Sequence, residues 1–118
     1  MLDISFYTAK REPVHHVEVS ENFLEWLAKS EFAKIGQDKS TKIVVDGKKI
    51  IQPLVKLGKN NRQEMMNFFS NAIVSETKAI LNKIEKLRMQ NEETYRLKKL
   101  IELLDCIKNE NYQYLQRI

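Results

Sequence analysis

The side chains of this 118-residue sequence with the best spacing for a metal ion are His15, His16 and Glu18. They lie in a stretch that alternates apolar valines with polar residues, the pattern of a half-buried strand. On a strand His16 and Glu18 share one face and His15 takes the other, so at most two ligands converge. Zinc needs three or four. Cys106 is the only cysteine, so no second pair of ligands completes the set. No metal site is expected.

Nucleophilic and acid–base chemistry also lack a motif. Cys106 sits beside an apolar helical stripe and reads as a small hydrophobe. Glu92 and Glu93 read as the acidic start of a helix, and Glu102 with Asp105 as an exposed helix face. The three glycines are scattered singly and cannot build a phosphate-cradling loop. Arg11 and His16 have four residues between them, a spacing that resembles the Arg–His motif of the all-helical HEPN ribonucleases. Pro13 and the neighbouring valines oppose the helix which that motif needs. No catalytic residue and no cofactor is assigned, and the chain reads as a non-enzyme.

Charge points toward binding instead. The chain carries 20 Lys/Arg against 16 Asp/Glu, a net charge of +4, and the excess is local. Between Lys34 and Arg62 stand Lys39, Lys42, Lys48, Lys49, Lys56 and Lys59, while only Asp38 and Asp46 oppose them. Lys42, Lys48, Lys49 and Lys56 are the candidate partner-binding residues. Such a surface attracts an acidic protein or nucleic acid, and it also fits a solvated sheet edge that lysines guard against aggregation. Stacking on single-stranded nucleic acid calls for aromatics beside the lysines. Here Phe68, Phe69, Tyr95, Tyr112 and Tyr114 fall in the helical half and Trp26 in the first helix.

The elements that must position these residues divide the chain in two. Pro13, Gly36, Gly47, Pro53 and Gly58 all precede residue 59, and the remainder has neither residue type. Leu2, Ile4 and Phe6 alternate with Asp3 and Ser5 as a first strand, and His15, Val17 and Val19 as a second. Ser20 is placed to cap a helix over 21–35 that Gly36 stops. Ile43-Val44-Val45 and Ile50-Ile51 flank Asp46-Gly47, the preferred pair of a type I′ hairpin. In that register Val45 faces Lys48, Val44 faces Lys49 and Ile43 faces Ile50. Pro53 makes the second arm an edge strand or bends it.

Asn61 with Glu64 resembles a capping box at the start of the next helix. Met65, Met66, Phe69, Ala72, Ile73, Ile80, Ile84 and Leu87 continue it at three- and four-residue steps. The pattern lapses at Gln90-Asn91-Glu92-Glu93 and resumes through Leu97, Leu100, Ile101, Leu104 and Ile107, with Tyr114, Leu115 and Ile118 beyond.

The expected fold is α+β in the order ββαββαα: a small antiparallel sheet of two hairpins with one helix, then a long antiparallel helical pair. It forms a single domain over 1–118, strand-rich over 1–58 and helical over 61–118. A 28-residue helix is about 42 Å long and the strands only about 20 Å, so the helical pair should overhang and leave apolar surface for a partner or a second copy through the 62–118 helices. No apolar run approaches the length of a membrane span, and the N-terminus, with Asp3 and no apolar core, is not a secretory signal. A single cysteine points to a reducing compartment, the cytoplasm.

The functional expectation is a small non-enzymatic protein that binds an acidic surface on another protein, as a dedicated inhibitor or immunity-type partner. A nucleic-acid-binding module that uses the Lys34–Arg62 region is the alternative.

Overall fold

The computed structural model describes residues 2–85 and 91–117, with side-chain environments for 2–82 and 94–117. The chain is α+β in the order ββαββαα, closed by one further strand. The strands are β1 Leu2–Tyr7, β2 Pro13–Val19, β3 Lys39–Val45, β4 Lys48–Lys56 and β5 Tyr114–Gln116. The helices are α1 Glu21–Ala28, α2 Lys59–Glu85 and α3 Asn91–Lys108. All pairings are antiparallel, in the spatial order β2-β1-β5-β4-β3.

The two hairpins therefore do not pair with each other. The three-residue strand β5 stands between them, with Leu115 fully buried across from Phe6 on one side and Val55 on the other. Sequence pattern counts Tyr114 and Leu115 in the helical half, beyond the apolar stripe, and assigns them no strand. Three residues are too few to display a period of two.

Ile4, Phe6, Val17, Val19, Val55, Leu57 and Leu115 turn one face of the sheet toward the helices. There they meet Phe23 and Leu27 of α1, Met65 and Phe69 of α2, and Leu100, Leu103 and Ile107 of α3 in the main core. Ser20 caps α1 as its position suggests, its Oγ accepting from Phe23 N at 3.2 Å. The helix is shorter than 21–35. It ends at Ala28, Ser30 caps a separate 3-10 turn over Glu31–Lys34, and Gly36 follows at φ +68°. The break lets Phe32 enter the core under Phe68 and Phe69, at 6.0 and 5.2 Å between ring centroids.

The β3–β4 hairpin forms in the expected register. Asp46 and Gly47 take φ 52° and 77°, and Val45↔Lys48, Val44↔Lys49 and Ile43↔Ile50 are paired. The pair that closes a two-residue turn is hydrogen-bonded, and pairs alternate from there. Pro53, opposite Ser40, thus falls on a position where β3 asks for no N–H. On its other side β5 begins to pair only at Val55. The proline sits where neither neighbour needs its donor.

Beyond that point the hairpin curls over the outer face of the sheet, far enough for Val44 N–H to donate to Arg11 C=O at 3.4 Å. A second, small core of Tyr7, Ile43 and Leu54, flanked by Val45 and Tyr114, fills the concave side.

α2 and α3 run antiparallel: Arg96 Nη1 meets Glu76 at 2.9 Å, and Arg62 reaches the far end of α3. α3 begins at Asn91, inside the expected lapse; Gln90 and Leu87 lie outside the described residues, as do the side chains of Ile84, Glu92 and Glu93. The length mismatch is present. The described residues extend 52 × 29 × 23 Å, and among the described side chains Ile73 is the last apolar one of α2 packed on the main core, with Val74 and Leu81 exposed.

The capping expectation at Asn61 is corrected. α2 already begins at Lys59, and Asn61 Nδ2 donates to Lys56 C=O at 3.0 Å, tying the helix back to β4.

Arg62 joins three parts of the fold through four hydrogen bonds. Its Nη1 donates to Ile107 C=O at 2.5 Å and Asn109 C=O at 3.0 Å, and its Nη2 to Tyr112 C=O at 2.5 Å and Leu57 C=O at 3.2 Å. Burial pulls its pKa down while Glu110 pushes the other way; a guanidinium nevertheless stays protonated. Removing the donors leaves the Leu57, Ile107 and Tyr112 carbonyls without this partner, while Asn109 C=O keeps Tyr112 N–H at 3.2 Å, so Arg62→Met should cost about 2–4 kcal/mol. Urea denaturation measures this. Arg62→Lys should recover little of it, because an ammonium lacks the planar fork. A loss under about 0.5 kcal/mol, the usual range for a surface change, would contradict the role.

Candidate functional site

The four lysines singled out by charge are all exposed, and none has an ion-pair partner among the described residues. Strand register decides which of them can act together. Lys42 lies opposite Ile51, and Lys49 opposite Val44, so these four share one face of the hairpin. Val44 is 38% and Ile51 63% exposed, which makes this face a mixed basic and apolar surface. Lys48 adjoins Lys49 in sequence and takes the opposite face, beside the turn. Lys56 shares that opposite face but lies eight residues along β4, about 26 Å away on an extended strand. The structure brings Lys42 and Lys49 together and separates Lys48 and Lys56 from them.

Lys56 belongs to a different setting. It pairs with Tyr114 of β5, and Lys39, opposite Leu54, is its diagonal neighbour. Together with Thr41, Leu54, Asn61, Gly36 and Gln37 they line a groove of about 430 Å³. Arg11 lies over the Tyr114 ring at 5.9 Å. Sequence reasoning places Tyr114 among the helical aromatics, away from the lysines; strand β5 brings it beside Lys56. Lys39 was legible only as part of the basic run. No local signal marks it, because its neighbour comes from across the hairpin.

A second, apolar cleft of about 390 Å³ lies on the helix side, lined by Leu24, Leu27, Ala28, Phe32 and Ala33. Its polar rim is already satisfied. Arg117 donates from Nε and Nη2 to the two carboxylate oxygens of Asp38, both at 3.3 Å, and from Nη1 to Phe32 C=O at 2.6 Å.

The histidines take the two faces that strand parity requires. His15 stacks on Tyr112 at 6.1 Å and borders Phe6, while exposed His16 holds its Nδ1 2.7 Å from Ser5 Oγ. Among the described residues no group of three or more His, Cys, Asp or Glu side chains converges to hold a metal ion. Arg11 and His16 stand on a turn and a strand, without the helix the Arg–His spacing would need. No helix among the described residues is long and apolar enough to cross a membrane.

Cys106 is 8% exposed in the main core. Burial first, and then Glu102 and Asp105, push its thiol up to about 11. Reactivity follows the thiolate. At pH 8 iodoacetamide should therefore alkylate Cys106 at least about 100-fold more slowly in the folded protein than in the urea-unfolded chain. Equal rates would contradict this environment. Because the folded-state pKa is raised, the thiol favours the folded state below about pH 9 and that contribution fades as pH rises toward about 11.

Comparison with known proteins gives no match to a family model, a curated protein or a solved structure.

Proposed function

We propose that the protein acts by binding another protein that presents an acidic surface, as a dedicated inhibitor or immunity-type partner, and that the β3–β4 hairpin carries the contact. The observation behind this reading is the face on which Lys42 and Lys49 alternate with exposed Val44 and Ile51, with no carboxylate paired to either lysine among the described residues. An apolar centre edged by unpaired charge is how protein contacts combine affinity with orientation. Lys48 and Lys56 stand outside this contact. A reducing compartment, the cytoplasm, belongs to the same reading, which the single cysteine of the sequence supports.

The test is affinity capture from the native host, followed by kinetics with the partner identified by mass spectrometry. Lys42→Glu with Lys49→Glu should slow association about tenfold or more, since like charges then meet. Lys48→Glu, on the opposite face, should leave it within about threefold. Circular dichroism should show all variants folded. Unchanged affinity in the double variant would refute the assignment of this face.

A further inference from the structure

The groove on the outer face of the sheet has a charge arrangement that the fold does not explain. Lys39 and Lys56 are diagonal neighbours across the β3–β4 ladder, both exposed and both without an ion pair among the described residues. Diagonal neighbours on one sheet face lie within reach of each other's long side chains, so the two ammonium groups repel. No carboxylate lines the groove; its other polar side chains are Thr41, Asn61, Gln37 and Tyr114. Arg11, 5.9 Å from the Tyr114 ring centroid, adds a third cation next to the groove lining. The nearest acid in sequence, Asp38, is turned away and held by Arg117.

One wall of the groove is backbone packed tightly against the core. Gly36 takes φ +68°, and a Cβ there would stand 2.8 Å from Asn61 Nδ2 and 2.9 Å from Val55 Cγ1. Only glycine lets the chain pass so close to the start of α2 and form one wall of the groove. The volume, about 430 Å³, falls within the range of small-ligand clefts.

We infer that this groove is a binding site for a phosphate-bearing small molecule of nucleotide size, with Lys39 and Lys56 as the phosphate ligands. An ammonium acts on phosphate as a point charge, and two of them about 7–8 Å apart at their backbones can close on one anionic group from either side. The Tyr114 hydroxyl supplies a neutral polar contact on the same face, while the Thr41 hydroxyl donates to Lys39 C=O at 2.8 Å and Asn61 Nδ2 to Lys56 C=O at 3.0 Å, which fixes the backbone beside both lysines. This site is separate from the Lys42/Lys49 face and does not depend on the protein-binding reading.

Isothermal titration calorimetry at low salt with ATP, tripolyphosphate and inorganic phosphate tests the inference. Tripolyphosphate and ATP should bind with one-site stoichiometry and inorganic phosphate more weakly. A preference for ATP over tripolyphosphate would identify a nucleotide, and equal affinity a polyphosphate; both support a phosphate site. Lys39→Gln and Lys56→Gln should each weaken binding about tenfold or more, whereas Lys42→Gln should leave it unchanged. Without ligand, either groove variant should melt at the same temperature as the parent or higher, since a like-charge repulsion is relieved. No heat with any of the three at millimolar concentration would overturn the proposal. So would binding that survives the double variant Lys39→Gln/Lys56→Gln, or a lowered melting temperature in both single variants.

Discussion

The carbonyls that end a helix have no partner within it, and a chain that turns straight from a helix into the middle of a sheet leaves several of them in one place. Here α3, the 109–113 turn and the end of β4 all present carbonyls to the same point, and the Arg62 guanidinium answers four of them. Leu57 N–H donating to Gln113 C=O, and Gln113 N–H to Tyr7 C=O, extend the same junction across the sheet. Arg117 performs the corresponding task on the far side of β5, where it fastens the strand to Asp38 and Phe32. A strand of three residues has little ladder of its own. It is central because two arginines fix the chain on either side of it.

With β5 in place, the sheet acquires two unequal faces. The helix side carries the main core. The outer side carries only the small Tyr7–Ile43–Leu54 cluster, which the curled β3–β4 hairpin covers in part. The curl sets the surface chemistry. It leaves Val44 and Ile51 exposed beside Lys42 and Lys49 on the convex side, and it gathers Lys39, Lys56 and Tyr114 on the concave side.

Much of this was legible in local pattern. The Asp46-Gly47 turn, the register around it and the alternation in Leu2–Phe6 and His15–Val19 follow from turn chemistry and period two, and all stand in the structure. That Lys48 and Lys49 take opposite faces is contained in the same period, as is the division of His15 from His16. What local pattern could not supply depends on long-range packing. Tyr114–Gln116 becomes a strand only because Phe6 and Val55 flank it. Helix periodicity runs through Lys29 and Ser30, yet the core interrupts it to seat Phe32. Asn61 has the chemistry of a cap, but α2 already begins at Lys59, and Asn61 and Arg62 instead reach back to the carbonyls of Lys56 and Leu57. Arg62 itself reads as one more member of a basic run, since nothing nearby in sequence announces four carbonyls gathered from 57, 107, 109 and 112.

The position of β5 also sets an order of events during synthesis. Its neighbours in the sheet, Phe6 and Val55, leave the ribosome long before Leu115 does. At about 5–20 residues per second the two hairpins wait several seconds for the strand that joins them. Over that interval each exposes a sheet edge that the finished protein covers. Pairing across more than 100 residues of chain also carries a large loop-closure cost before any contact offsets it, which makes for slow, late and all-or-none completion of the sheet. The unpaired edges of β1 and β4 are thus a hazard of the growing chain, when a second nascent copy could occupy the place reserved for β5.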